Sequence, residues 1–259
     1  MILVHTELDG KLGFITLNNA PKRNCLSKAL IDELVEALDQ HQKSGALAVV
    51  LRAPANSTVW SAGHDIGELP DPYRDPLPYE EPFESLLRHV QDYPRPIIAM
   101  VEGGVWGGAL DLALSCDILI GCENATFAIT PAKIGVPYNP SGLIHFINIL
   151  GLNKAKELFF TAQPISAQEA LRIGLLNHLV PAAELEAFTK ELAAKIINNA
   201  PLTVSVIKRQ FRLLTRGATL TAETFELIQS VRRNVYDSQD YQEGIRAFKE
   251  KRPPRFQGK

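Results

Sequence analysis

Short apolar runs that alternate with longer amphipathic segments constrain the fold of this chain more than any other sequence feature. Three such runs, at Ala48 to Leu51, Ile97 to Val101 and Ile118 to Gly121, have the length of buried strands. A helix-length segment, with Leu86 and Val90 on its apolar face, separates the first two runs. Because buried strands that alternate with helices are typical of parallel sheets, we predict an α/β core with mostly parallel strands.

Local signals mark where further elements begin and end. Asp9-Gly10 between the apolar runs Ile2 to Leu8 and Leu12 to Leu17 predicts a hairpin. Ser27 precedes apolar residues at helical spacing and is predicted to cap a helix. Ser166 and Glu169 have the spacing of a capping box at the start of another.

The C-terminal part of the chain has a different pattern. After about residue 140 the strand signals fade, and helices are predicted over 202–214, 221–236 and 238–251. We therefore expect a core over residues 1–200 and a helical region over residues 201–259. Such a helical appendage is suited to an oligomer interface or to a lid, and the pattern alone does not choose between them.

Composition and charge exclude several classes of function. The 259 residues are 46% hydrophobic and 22% charged, as in an ordinary globular protein. With 27 basic and 29 acidic side chains the net charge is −2, which gives no basic field for nucleic acid or an anionic membrane. No apolar run approaches the roughly 18 residues that a membrane span needs. We expect neither nucleic acid nor a membrane as a partner.

The cysteines and the first residues indicate a cytoplasmic protein. Three cysteines form an odd set without CxxC spacing, which disfavours a disulfide framework or a zinc site and favours a reducing compartment. Glu7 and Asp9 stand where a signal peptide would be basic and then apolar.

Common catalytic motifs are missing from the sequence. It contains no GxSxG, HExxH or GxxxxGK[ST], and its glycines do not fit GxGxxG. Five of the six histidines are interpreted as surface or packing residues: His5, His41, His89, His145 and His178. No metal site is predicted, and nucleophilic mechanisms start with weak support.

Two segments rich in small residues stand out, Trp60 to Ile66 and Val101 to Ala109. The second carries four glycines between a predicted strand and a predicted helix. Glycine permits backbone conformations and close approaches that other residues avoid, and a helix start presents unpaired N–H groups. The two segments are suited to aim two amides at one oxyanion, or to form tight turns with close helix–sheet packing. Spacing alone leaves both interpretations open.

At these residues the sequence resembles the crotonase, or enoyl-CoA hydratase/isomerase, superfamily over essentially its whole length. The resemblance implies a spiral of ββα units and trimers, often paired as hexamers, that assemble through the helices of 201–259. It also implies an acyl-CoA thioester whose carbonyl lies between the amides of His64 and Gly108. The motifs that carry the resemblance are Pro21 to Ser27, Ser61 to Asp65, Gly107-Gly108, Ile165 to Ala170 and Phe248 to Pro253.

The same resemblance assigns the residues of the substrate site. His64 and Gly108 are expected to act through their N–H groups, and Lys251 is the candidate for contact with the CoA phosphates, across a subunit boundary in some members. The substrate-binding residues that it implies are Ala62, Gly63, His64, Asp65, Ile66, Gly108, Thr130 and Lys251.

Two departures from the hydratase pattern indicate a different reaction. Asp111 stands where hydratases of the superfamily have their first glutamate, and Pro131 stands where they have the second. Hydration needs paired carboxylates to activate water and deliver a proton, so a hydratase is disfavoured. The chain is more similar to the methylmalonyl-CoA decarboxylases of the superfamily, on the stretches Trp60 to Ile66, Val105 to Ala109, Thr130 to Asn139 and Arg232 to Gly244.

Similarity to that branch implies decarboxylation of methylmalonyl-CoA, or a close malonyl thioester, to propionyl-CoA and CO2 without a cofactor. Tyr138 is implied as the side chain that approaches the substrate carboxylate. The role of Asp111 and the proton donor to the resulting enolate stay open. The alternatives are an enoyl-CoA hydratase or a thioester hydrolase of the same superfamily, and a non-catalytic relative that binds acyl-CoA or RNA.

Overall fold

The computed structural model of the protein describes residues 2–70, 73–215 and 222–257. Two β-sheets frame this part of the chain. Its strands are β1 (Val4–Asp9), β2 (Leu12–Leu17), β3 (Ala48–Arg52), β4 (Val59–Ser61), β5 (Ile97–Val101), β6 (Gly104–Trp106), β7 (Ile118–Cys122), β8 (Thr126–Ala128), β9 (Ile165–Ser166) and β10 (His178–Val180). One sheet has six strands in the order β1-β2-β3-β5-β7-β10, and the other has four in the order β4-β6-β8-β9.

The larger sheet confirms the predicted strands and their direction. β1 and β2 form the antiparallel hairpin around Asp9 and Gly10, although β1 begins at Val4 rather than Ile2. The three apolar runs form β3, β5 and β7, whose neighbours in this sheet all run parallel. Their apolar side chains face helices on both sides, so the runs are continuous rather than alternating.

Helices follow the strands in a repeated order. They are α1 (Lys28–Lys43), α2 (Pro82–Asp92), α3 (Gly108–Ser115), α4 (Pro140–Leu150), α5 (Leu152–Thr161), α6 (Ala167–Arg172), α7 (Leu185–Ile197), α8 (Pro201–Thr215), α9 (Ala222–Tyr236) and α10 (Gln239–Lys249). Three times the chain passes from the larger sheet to the smaller one and then into a helix, as β3-β4-α2, β5-β6-α3 and β7-β8-α4. This repeat is the ββα unit of the expected spiral, which is confirmed.

One segment is built differently from the prediction. Residues 101–109 do not run from a strand straight into a helix, because β6 intervenes between β5 and α3. Gly103 makes the turn between the two strands with φ +82°, and a Cβ there would lie 2.5 Å from the carbonyl oxygen of Ser57. Gly103 therefore serves the crossing between the sheets, and only Gly107 and Gly108 belong to the helix start.

The predicted helix signals are largely confirmed. Ser27 caps α1 by accepting a hydrogen bond from the amide of Leu30. Ser166 accepts from the amide of Glu169 at 3.2 Å, but the Glu169 carboxylate binds Arg172, so only half of the capping box forms. The three predicted C-terminal helices correspond to α8, α9 and α10, and position 221 lies outside the described residues.

α3 lies in the centre of the fold. Every residue from Ala109 to Ser115 is buried, including Asp111. A helix that is apolar on all sides is suited to such a position, and a carboxylate within it needs polar partners.

The last two helices close over the loops beside α3. Gly244 of α10 packs so tightly on the turn at 131–134 that a Cβ would overlap the Ile134 carbonyl. Arg232 of α9 is buried and binds both carboxylate oxygens of Asp75, at 2.6 and 2.8 Å. None of the helices in the described ranges has the length and hydropathy that crossing a bilayer demands.

Candidate active site

Two glycine-bearing bends are packed against each other at the start of α3. Gly63 has φ +88°, and a Cβ there would overlap the Trp106 carbonyl oxygen and lie 2.8 Å from the Gly108 nitrogen. Gly107, with φ +55°, precedes α3, so Gly108 is the first helical residue and its amide has no acceptor within the helix. Only glycine allows the first bend to approach the helix start this closely.

The backbone leaves one amide unused at each bend. The amide of Leu26 donates to the carbonyl of Gly63 at 2.8 Å, and the carbonyl of Leu26 accepts from the amide of Asp65 at 3.4 Å. The amide of His64, which lies between these two groups, takes part in neither hydrogen bond. Across the described ranges, neither the His64 nor the Gly108 amide donates a hydrogen bond to a protein acceptor. Two unengaged N–H groups on adjacent bends are the components of an oxyanion-binding site.

The His64 imidazole is held by the protein. Its Nε2 lies 2.9 Å from a carboxylate oxygen of Glu81, and its Nδ1 lies 3.0 Å from the carbonyl oxygen of Asp65. Burial lowers the pKa of His64, but the hydrogen bond and negative charge of Glu81 outweigh burial and raise this pKa above its usual value. The ring is therefore engaged on both nitrogens, which agrees with a role for His64 through its backbone.

The Phe83 ring packs against both bends. Its ring meets the His64 ring edge to face at 5.9 Å between centroids, and a Cβ on Gly108 would lie 2.9 Å from its Cζ atom. The other oxygen of the Glu81 carboxylate accepts from the Phe83 amide at 2.6 Å and so caps α2. The start of α2 therefore fixes His64 and Gly108 together.

The structure places the remaining predicted residues at unequal distances from these bends. Thr130 lies beside Gly107, because a Cβ on Gly107 would be 3.0 Å from the Thr130 hydroxyl oxygen. Ala62, Asp65 and Ile66 are partly exposed along the first bend, and Asp65 caps the short helix at 66–68. Lys251 is exposed, and within the described chain no hydrogen bond or ion pair joins its side chain to either bend.

A second polar group lies one helical turn beyond Gly108. The Tyr138 hydroxyl donates to Asp111 Oδ2 at 2.7 Å, and His145 Nδ1 lies 2.8 Å from Asp111 Oδ1. Burial and the negative charge of Asp111 raise the pKa of Tyr138 well above its usual value. His145, which the sequence interpretation treats as a surface or packing residue, therefore contacts the one acidic residue of α3.

A second buried carboxylate lies near the first. Glu84 accepts hydrogen bonds from the Asn139 amide group and, at 3.3 Å, from the Ser141 hydroxyl. Burial, followed by the negative charge of Asp111, raises the pKa of Glu84 to about 7. The expectation that the site lacks paired carboxylates therefore holds only for the hydratase positions, since Glu84 supplies a carboxylate from another element.

Sequence patterns gave no signal for Glu84 or His145. Glu84 occupies the first turn of α2, where an acidic residue is ordinary. His145 lies three residues after Gly142, on the same face of α4, and only this spacing relates the two. In the described ranges, no three His, Cys, Asp or Glu side chains are grouped as ligands of a metal ion.

Comparisons with known proteins show which family this chain belongs to. Residues 7–259 match the family model described as enoyl-CoA hydratase/isomerase. The chain is 48% identical to the methylmalonyl-CoA decarboxylase of Escherichia coli, over 96% of this chain and 95% of that protein. It is 30% identical to a short-chain-enoyl-CoA hydratase of Clostridium acetobutylicum, over 95% and 94%. A solved structure of methylmalonyl-CoA decarboxylase in complex with 2-nitronate-propionyl-CoA superimposes with a TM-score of 0.98 at 46% identity, covering 100% of this chain and 99% of that one.

The packing of Gly63 on α3 predicts that a methyl group added at this position lowers the activity of the folded protein. Gly63→Ala should lower kcat about a hundredfold, because the added methyl group displaces the Gly108 amide. Gly174→Ala is the matched control, since Gly174 also has positive φ but open space around its Cβ position. Gly174→Ala should cost about 1 to 2 kcal/mol in the free energy of unfolding, measured in urea, because of its positive φ alone. Gly63→Ala should cost about 1 to 3 kcal/mol more, because its Cβ also meets backbone atoms of Trp106 and Gly108. Equal activity in the two variants would contradict the proposed contact.

The raised pKa of Glu84 predicts a pH-dependent stability. The carboxyl group of Glu84 releases its proton near pH 7 in the folded protein but near pH 4.5 in the unfolded chain. The free energy of unfolding therefore falls as the pH rises between these two values. Glu84→Gln removes the titration and keeps hydrogen-bonding partners for Asn139 and Ser141. Relative to wild type, the variant should gain up to about 3 kcal/mol in free energy of unfolding between pH 4 and pH 8.

Urea denaturation at fixed protomer concentration measures this difference. Glu36→Gln, at an exposed carboxylate on α1, is the control and should show no comparable pH-dependent gain. A constant difference between Glu84→Gln and wild type from pH 4 to pH 8 would show that Glu84 titrates normally.

Proposed function

This chain belongs to the enoyl-CoA hydratase/isomerase (crotonase) family, and we propose that it decarboxylates methylmalonyl-CoA, or a close malonyl thioester, to propionyl-CoA and CO2. The observation that carries the proposal is the pair of unengaged amides at His64 and Gly108. The full-length similarity to a methylmalonyl-CoA decarboxylase supports this choice of reaction within the family.

The two amides supply what the reaction needs most. When the bond between the α-carbon and the carboxylate breaks, its electrons move into the thioester carbonyl and form an enolate with charge on oxygen. Amides of His64 and Gly108 that are already in place stabilise this charge, and each such donor typically contributes about 3 to 4 kcal/mol. The departing CO2 takes the place of a proton, so no general base is required to start. One proton must then be added to the α-carbon to balance the reaction.

Tyr138 is the side chain that we assign to the substrate carboxylate. An orientation of this carboxylate out of the thioester plane lets the breaking bond overlap with the carbonyl π system. A single hydroxyl donor sets that orientation without neutralising the carboxylate, whereas a cation would stabilise the ground state. In the structure the Tyr138 hydroxyl hydrogen is donated to Asp111, so an incoming carboxylate competes with Asp111 for it.

The remaining residues are proposed to hold the coenzyme A part of the substrate. The partly exposed bend from Ala62 to Ile66, with Gly63 and Asp65 between them, offers backbone groups along one side. Thr130 lies beside Gly107 at the acyl end. We assign Lys251 to the phosphates, from a neighbouring subunit, because within the described part of its own chain no hydrogen bond or ion pair joins this exposed side chain to the bends.

The helices of residues 201–259 are proposed to form a homotrimer, which pairs into a hexamer in many members of the family. The supporting observation is the exposure of large apolar side chains on α8 and α9, which in a single chain would contact water. Leu202 and Leu214 are each 77% exposed, Phe211 is 66% exposed and Leu227 is 64% exposed.

We propose that the protein acts in the cytoplasm without a separate cofactor. The thioester itself accepts the electrons, so the chemistry requires no additional electron sink. All three cysteines are free and buried, which is consistent with a reducing compartment. The balanced charge argues against nucleic acid or a membrane surface as a partner.

Parallel assays with two substrates test the proposed reaction. The wild-type protein should release CO2 from methylmalonyl-CoA and should not add water to crotonyl-CoA at a comparable rate. Chelators and avidin should leave CO2 release unchanged. Hydration without CO2 release would favour the enoyl-CoA hydratase alternative, which the nearby carboxylates Asp111 and Glu84 make worth testing.

Light scattering after size exclusion tests the proposed assembly. Wild type should have the mass of a trimer or a hexamer, and Phe211→Asp combined with Leu227→Asp should reduce it to that of a monomer. Leu171→Asp, at an exposed apolar side chain on α6, is the control and should keep the assembled mass. A monomeric wild type would contradict the proposal.

A further inference from the structure

Asp111 is a buried carboxylate whose two oxygens each accept one hydrogen bond. Oδ2 accepts from the Tyr138 hydroxyl and Oδ1 faces His145 Nδ1, at 2.7 and 2.8 Å. Asp111 is only 1% exposed. An ionised carboxylate can only accept, so the hydrogen on this side belongs to Nδ1 of His145.

His145 is the group that makes this burial tolerable. Among the described residues no lysine or arginine pairs with Asp111, and the ion-pair contact it makes is with His145. Glu84 of α2, which interacts electrostatically with Asp111, is also acidic and supplies no positive charge to it. A buried carboxylate with few donors is costly, and besides the Tyr138 hydroxyl the His145 ring is the partner that the described residues give Asp111.

The ring of Tyr138 is held in place by its neighbours, so only the direction of its hydroxyl hydrogen can change. Phe159 and Phe146 pack on the ring at centroid distances of 5.0 and 6.4 Å. Gly142 admits the ring, because a Cβ there would overlap the Tyr138 Cε1 atom. Gly142 and His145 share one face of α4, so the same face receives the ring and contacts Asp111.

His145 also connects the site to solvent. Its side chain is 20% exposed, whereas that of Asp111 is 1% exposed. His145, at the surface, thereby contacts the buried carboxylate of Asp111. Asp111 in turn accepts from the Tyr138 hydroxyl, which we assign to the substrate carboxylate.

We propose that His145 is a positioning residue for the decarboxylation and acts on Tyr138 through Asp111. Its N–H group shares the charge of Asp111, so that the Tyr138 hydroxyl hydrogen can turn from Asp111 to the substrate carboxylate. This inference rests on the proposed function and adds to it the residue that controls the hydroxyl. It predicts an effect on turnover that depends on the presence of that hydroxyl.

A double-mutant cycle on CO2 release from methylmalonyl-CoA tests the inference. His145→Leu should lower kcat about tenfold, while the Kd for propionyl-CoA stays within about twofold of wild type. In the Tyr138→Phe background, the same change should lower kcat by less than about twofold, because the hydroxyl it acts on is absent. His145→Asn should restore at least about half of the wild-type kcat, since an asparagine amide can replace the Nδ1–H donor.

Two further variants keep the result interpretable. His178→Asn, at a histidine that packs on Phe188, should leave kcat unchanged. If His145→Leu does not fold, Asp111→Asn takes its place, and its effect should likewise vanish in the Tyr138→Phe background.

Three outcomes would overturn the inference while wild type remains active: an unchanged kcat in His145→Leu, multiplicative effects of the two changes, or no rescue by asparagine. A wild-type protein that releases no CO2 would instead overturn the proposed function, and the inference with it.

Discussion

The close packing of Gly63 on the first residues of α3 is the constraint on which the site depends. The contact joins the first bend to the helix start, and a Cβ at Gly63 would displace the Gly108 nitrogen. Leu26 takes the hydrogen bonds on either side of His64 and leaves the His64 amide free. The fold therefore prepares two donors before any ligand arrives, and stabilising charge in this way requires no reorganisation during the reaction.

The burial of α3 determines the rest of the polar arrangement. Every residue of α3 from Ala109 to Ser115 is buried, and Asp111 therefore finds its partners within the protein. Tyr138 and His145 supply the hydrogen bonds instead, one to each oxygen. The loop after the short helix at 131–134 and the middle of α4 are thus bound to the same helix that carries Gly108.

Sequence patterns predicted the frame of the fold well and the second polar group poorly. The apolar runs of β3, β5 and β7 and the cap at Ser27 are local signals, and the structure confirms them. β6 was missed because a three-residue strand that begins at Gly104 and follows Gly103 carries no strand periodicity. Glu84 and His145 come from α2 and α4, and their meeting near Asp111 depends on how separate elements pack. The amides of His64 and Gly108 leave no side-chain signature, so they entered as expectations from a resemblance.

The charges of the site are arranged to avoid mutual repulsion. The start of α3 favours negative charge, which benefits both an oxyanion at Gly108 and the carboxylate of Asp111 in the first turn. Asp111 nevertheless opposes an anionic substrate close to it. The structure reduces this conflict in two ways, since the pKa of Glu84 is raised to about 7 and His145 donates to Asp111. An acidic residue can therefore stay at the helix start because the raised pKa of Glu84 reduces the negative charge beside it and His145 shares its own charge.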